Sequence, residues 1–147
     1  MGLNKKDKKI VEVIQKDART PISNIARKVG LSENGVRYRL EKLEETGYIR
    51  SYIALLNPRK FGKKHTVLFH IKTRVKNTKN TIKELCLMEE LNCIYQTTGQ
   101  YTIFAIGLFK DMGEINNFVN AKLSGLDMVE YSMDIVTKKA KESPFFV

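Results

Sequence analysis

Apolar residues recur at helical spacing in three stretches near the start of the chain. Ile10, Val13, Ile14 and Ala18 make the first stripe, with Val11 beside it. Asn4 stands ahead of it as a cap, and Asp7 in the first turn complements the helix dipole. Ile22, Ile25, Ala26 and Val29 make the second stripe. It is opened by Thr20 as a cap and Pro21 at the first helical position, and closed by Gly30. Val36, Leu40 and Leu43 make the third, capped by Ser32 and ended by Gly47. Three helices of this size can share one small core. The period then changes. Residues 48–56, YIRSYIALL, are rich in β-branched and aromatic residues and predict a strand leaving the helical part. Asn57-Pro58 and Gly62 break the chain, so 57–65 reads as a hinge.

The second half alternates at period two. Val67, Phe69 and Ile71 interleave with Leu68, His70 and Lys72, which predicts a strand. A helix follows from Thr78, carrying Ile82, Leu85 and Cys86. Residues 92–98 and 101–109 predict two strands, with Gly99-Gln100 as a tight turn between them. Residues 112–123 predict a helix with Ile115, Phe118, Val119 and Leu123 inward. Val129, Tyr131, Met133 and Ile135 alternate along a last strand. The order is β-α-β-β-α-β, so the fold class is α+β, with a helical N-terminal domain and a ferredoxin-like C-terminal one. The domain limits are 1–56 and 66–147. Such a sheet carries its helices on one face. Residues 101–109, YTIFAIGLF, are almost continuously apolar, so both faces of that strand should be buried. A second copy is the simplest cover, which predicts a homodimer with sheets packed face to face.

The second and third helices meet at the three-residue corner Gly30-Leu31-Ser32. Residues 20–47 therefore read as a helix-turn-helix, whose second helix lies in the DNA major groove. With Val36, Leu40 and Leu43 inward, Asn34, Gly35, Tyr38 and Lys42 fall on the far side, flanked by Arg37 and Arg39. Ser32 and Glu33 complete the N-terminal end, the end that meets base edges most often. Arg37 and Arg39 suit guanine or phosphate, Asn34 suits adenine, and Tyr38 suits phosphate. Gly35 lets a backbone approach DNA. The plainer alternative is an αα-hairpin with a solvated charged face.

Charge separates those two readings. The net charge is +10 over 147 residues. Residues 1–64 hold 16 Lys or Arg against 7 Asp or Glu, a net +9, while residues 65–147 hold 10 against 9, a net +1. A basic half that also contains the helix-turn-helix fits a phosphate footprint. Double-stranded DNA is the expected partner. No apolar run approaches the roughly 18 residues of a membrane span, and MGLNKKDKK is no secretory signal, so a cytoplasmic location is expected. Cys86 and Cys93 match no metal spacing and are expected as small buried hydrophobes. No metal or cofactor is expected.

Two segments carry a family resemblance. They are DARTPISNIARKVGLSENGVRYRLEKLEETGYI at 17–49, and the β-α-β-β-α-β half with its TTGQY turn at 97–101, joined by LNPRKFG at 56–62. In this order they resemble the leucine-responsive/asparagine regulator (Lrp/AsnC) family of transcription regulators. The resemblance implies an N-terminal winged helix-turn-helix and a C-terminal domain that drives dimers, often tetramers or octamers. It also implies an amino acid or related effector near the turn of the second and third strands, here Thr98, Gly99, Gln100, Tyr101 and Thr102. The family often has an acidic residue after the aromatic, where this chain has Thr102. A hydroxyl cannot supply the charge that would pair with an ammonium group. A plain hairpin turn is the equal alternative for these residues.

Two rival functions differ in class. A broad chromatin-organising DNA binder differs from a specific regulator only in its specificity ratio. Some proteins that resemble these regulators decarboxylate a sirohaem-type tetrapyrrole. Here His65 and His70 are the two histidines, with no carboxylate cluster and no nucleophile-base pairing beside them in sequence. No enzymatic activity is expected.

Overall fold

A computed structural model describes residues 3–141 of the chain. The chain divides into two compact units between Leu55 and Leu56.

The first unit is three helices, α1 (Lys5–Lys16), α2 (Ile22–Val29) and α3 (Glu33–Glu45). Asn4 caps α1, its side chain accepting from the backbone N–H groups of Lys6 and Asp7. Ile10, Ile14, Ile25, Ala26, Val29, Val36 and Leu43 form the buried core. Leu40 is only partly buried, and Ala18 lies beyond α1 and is exposed. Thr20 does not cap α2. Its hydroxyl donates to the Asp17 carbonyl, so it closes the preceding turn, and the cap position falls to Pro21, whose carbonyl accepts from Asn24 and Ile25. Gly30 ends α2 at φ 66°, a left-handed conformation that glycine adopts without steric cost.

The strand predicted at 48–56 is absent. Residues 51–57 carry no regular structure, and Ile53, Leu55 and Leu56 are exposed. An extended segment needs a neighbour to complete a hydrogen-bond ladder, and among the described residues none is beside it. The segment read as a hinge holds a 3-10 turn, Pro58–Phe61, with Asn57 as its cap and Gly62 at its exit.

The second unit contains β1 (His65–Lys72), α4 (Thr78–Leu85), β2 (Leu91–Gln96), β3 (Ile103–Phe109), α5 (Met112–Ala121) and β4 (Glu130–Ile135). The antiparallel sheet has the order β2-β3-β1-β4. Val67, Phe69, Ile71, Ile103, Ala105 and Phe109 face the helices and pack with Leu85, Ile115, Phe118 and Leu123. On the helix-free face Leu68 lies opposite Ile106, His70 opposite Phe104, and Thr66 opposite Leu108. These side chains are half-buried, so β3 is fully buried on one face only. Cys86 is exposed at the end of α4 and Cys93 is half-buried on β2. Neither is the buried hydrophobe expected, because Cys86 falls at the last turn of a short helix, past the inward stripe.

Gly107 sits in the middle of β3, where the β2 register shifts between Leu91 and Cys93. A Cβ there would stand 2.6 Å from Cε2 of Phe109 and 3.2 Å from the Glu90 carbonyl oxygen. The glycine is what lets the irregular start of β2 approach so closely.

Candidate nucleic-acid interface

The outward face of α3 is set by the core beneath it. Val36 and Leu43 are buried, and successive residues turn by about 100°. Asn34, Arg37, Tyr38 and Lys42 are exposed, Tyr38 at 60%. The Ser32 hydroxyl accepts from the Gly35 amide at 3.1 Å and so fixes the first turn. Glu33, exposed in that turn, suits the positive end of the helix dipole. The Lys42 ammonium lies 6.0 Å from the Tyr38 ring centroid and 2.6 Å from a Glu45 oxygen. The hydrogen bond to Glu45 raises the Lys42 pKa above its ordinary value. Its charge is therefore shared with an acid on the same helix.

Two of the sequence-derived site residues are placed differently. Arg39 does not flank the outward face freely. Its Nη1 lies 2.6 Å from Oδ1 of Asp7, with the two side chains 29% and 18% exposed. On a helical wheel Arg39 lies only about 60° from Val36, while Arg37 lies about 100° away. The spacing alone therefore sets Arg39 nearer the buried face than Arg37, without naming its partner. Gly35 is half-buried, and a Cβ there would meet the Ser32 hydroxyl at 3.2 Å. Its lack of a side chain serves the cap. Asp7 stands in the first turn of α1, where it complements the helix dipole as read from sequence, and it is also the acid that holds Arg39. Its neighbour Lys6 donates from Nζ to the Gly30 carbonyl at 2.9 Å.

The loop between β2 and β3 is longer than the two-residue turn expected. It runs from Thr97 to Thr102, closed by the Thr97 amide donating to the Thr102 carbonyl at 2.9 Å. Thr98, Gly99 and Gln100 are exposed, and Tyr101 is half-buried with its ring 5.7 Å from that of His70. The Thr102 hydroxyl accepts from the Thr73 amide at 3.1 Å and lies 2.9 Å from the Thr73 hydroxyl. The Thr73 hydroxyl in turn lies 2.7 Å from that of Thr78. Thr102 therefore ties the loop to the end of β1 and the start of α4. Nothing in the local sequence pattern marked Thr73 as its partner, because the two meet only through the β1–β3 pairing.

The geometry is that of a helix-turn-helix followed by a separate α+β unit. Comparison with known proteins agrees. Residues 3–50 match the family described as winged helix-turn-helix DNA-binding, and residues 66–145 match the Lrp/AsnC ligand binding domain. The HTH-type transcriptional regulator LrpA of Pyrococcus horikoshii is 32% identical over 127 residues, covering 86% of this chain and 90% of LrpA. The HTH-type transcriptional regulator Ptr1 of Methanocaldococcus jannaschii is 30% identical over 121 residues, covering 82% of each chain. The fold matches Escherichia coli AsnC with TM-score 0.93 at 20% identity, covering 99% of both chains. It also matches a Neisseria meningitidis transcriptional regulator in complex with L-Met, with TM-score 0.91 at 24% identity, covering 97% of this chain and 95% of that one. The chain belongs to the Lrp/AsnC family of DNA-binding transcriptional regulators.

Proposed function

We propose that this regulator recognises particular duplex sequences as a homodimer, with α3 in the major groove of each half-site. The observation that carries the reading is the exposed set Asn34, Arg37, Tyr38 and Lys42 on a helix anchored by Val36 and Leu43. Phosphate contacts position such a helix and base contacts specify, and this face offers side chains for both. The helix-free sheet face supports the dimer. Leu68, Ile106, Leu108, Phe104 and Tyr95 make an apolar row that a second sheet would cover. Two readers related by a two-fold axis meet half-sites about one helical turn apart. Tetramers or octamers would repeat this unit.

The loop at Thr98–Thr102 is where an effector would act. An amino acid is the class to test first, since a neighbour in fold is a complex with L-Met. Thr102 is already bonded to Thr73, so any ammonium group would meet neutral oxygens there.

Catalysis finds little support. His65 and His70 stand an odd number of residues apart on β1 and so point to opposite faces. His70 Nε2 faces Asp134 at 3.3 Å on the helix-free face. Among the described residues no group of three or more His, Cys, Asp or Glu is arranged to hold a metal ion.

The test is selection of bound sequences from a random duplex pool, with and without a panel of amino acids. Enrichment of dyad-symmetric sites supports the reading. Equal recovery of every sequence refutes specific regulation and favours a broad DNA organiser, for which the basic first half would suffice.

A further inference from the structure

We propose that Asp7 is a positioning residue for DNA recognition, acting through Arg39 to fix how α3 is turned on the domain. The inference rests on the reading of α3 as the DNA-contacting helix.

The first turn of α1 is unusually committed. Asn4 orders it by accepting from Lys6 and Asp7 at 3.0 and 2.9 Å. Ile10, one turn on, is fully buried and anchors α1 in the core. From this fixed turn two charged side chains reach out in sequence. Lys6 binds the Gly30 carbonyl at the corner between α2 and α3, and Asp7 binds Arg39 in the middle of α3. One turn of α1 thus holds both the corner and the recognition helix.

This tie adds what the apolar core leaves loose. Only Val36 and Leu43 of α3 are buried, both close to one line along the helix, and Leu40 is half-exposed. A helix seated on a narrow apolar line can roll about its axis at small cost in buried area. Arg39 projects to one side of that line, about 60° from Val36. Its ion pair, less exposed than a typical surface pair, resists the roll. A roll of about 10° moves side-chain tips about 6 Å from the helix axis by about 1 Å, and base readout demands placement at that scale. Arg39 is thereby a positioning residue, and Asp7 controls discrimination without being placed on the DNA face.

The test uses the full chain, with binding to a selected site and to random duplex measured across a salt series. Asp7→Asn keeps the size of the side chain and removes its charge. It should lose about tenfold or more in preference for the selected site, while binding random duplex at least as well as wild type. Arg39→Met should show the same loss of preference with the salt slope of the wild type. A phosphate contact would instead lower the slope by about 0.9. A folded Asp7→Asn protein with full discrimination overturns the proposal, as does a lowered slope in Arg39→Met. If Asp7→Asn does not fold, the exchange Asp7→Arg with Arg39→Asp takes its place. Recovery of discrimination in the exchanged pair supports the proposal, and a folded exchanged pair without recovery overturns it. If the wild type shows no preferred sequence, specific regulation fails. The slope of Arg39→Met on random duplex then decides whether Arg39 touches DNA.

Discussion

Replacing Gly107 by alanine should destabilise the second unit through one identifiable clash. The new Cβ would lie 2.6 Å from Cε2 and 3.0 Å from Cζ of Phe109. Carbon atoms in contact prefer about 3.5–4.0 Å, so the overlap is close to 1 Å. The ring cannot swing aside freely. It packs edge-on against Phe69 at 6.1 Å and Phe118 at 5.2 Å between centroids. Overpacking of this kind costs about 1–3 kcal/mol. Stiffening of the unfolded chain by alanine offsets about 0.4–1 kcal/mol. A net loss of about 1–2 kcal/mol remains, and each kcal/mol lowers Tm by about 4–8 °C in a domain of this size. Calorimetry of the full chain reads the shift. The same substitution in a Phe109→Leu background, which lacks Cε2 and Cζ, should be close to neutral. A neutral or stabilising Gly107→Ala in the wild-type background refutes the argument. An equal cost in both backgrounds refutes it too, since the clash would then lie with the Glu90 carbonyl.

Three further outcomes follow from burial and charge. Arg37→Ala should leave the melting temperature nearly unchanged, because the side chain is exposed, yet weaken binding to a selected site by about 1–3 kcal/mol if it meets guanine, as a titration would show. Leu40→Ala should cost about 1–2 kcal/mol, less than Leu43→Ala at about 2–4 kcal/mol, since only Leu43 is buried; denaturant unfolding compares them. Acid should weaken the second unit through Glu114, whose carboxylate accepts from the Lys110 amide and pairs with Lys63 at 2.9 Å. The Lys110 amide, with the Lys63 hydrogen bond next, lowers the Glu114 pKa below its usual 4.5. A folded value below the unfolded one gives stability that is complete above about pH 5 and lost as pH falls through the folded value. Melting curves across that range should therefore fall less steeply for Glu114→Gln, and an unchanged pH dependence counts against the assignment.

The local signals were readable where the chain itself supplies both partners. Ser32 and Gly35 are three residues apart, and their cap was visible as a start signal. Gly30 and Gly47 were visible as stops, and both adopt positive φ. The alternation of Val67, Phe69 and Ile71 placed β1, because burial on one face needs only a period of two. What was not readable depends on distant partners or on competition between nearby ones. Arg39 needs Asp7, 32 residues away. The Thr20 hydroxyl could accept from the first amides of α2 or donate to the Asp17 carbonyl, and the turn at Asp17 won. Residues 48–56 have strand composition, but composition does not supply the neighbouring strand. The 99–100 turn widened because Thr102 is held by Thr73, so β3 begins only at Ile103. Gly107 read as one more apolar position, and its role appears only with Phe109 and Glu90 around it.

The two ends of the β1–β3 pair are fastened by different chemistry. At one end Lys63 and the amide of Lys110 both depend on the ionised Glu114. At the other, loop, strand and helix are stitched by the hydroxyls of Thr73, Thr78 and Thr102 and a backbone amide. A threonine hydroxyl has no proton to gain or lose in the range where proteins stay folded. Acidification therefore weakens the fastening at the Glu114 end, while the backbone ladder between β1 and β3 is unaffected. The hydroxyls that moor the loop at 97–102 carry the same protons in mild acid as at neutrality, so this fastening does not depend on pH as the Glu114 one does.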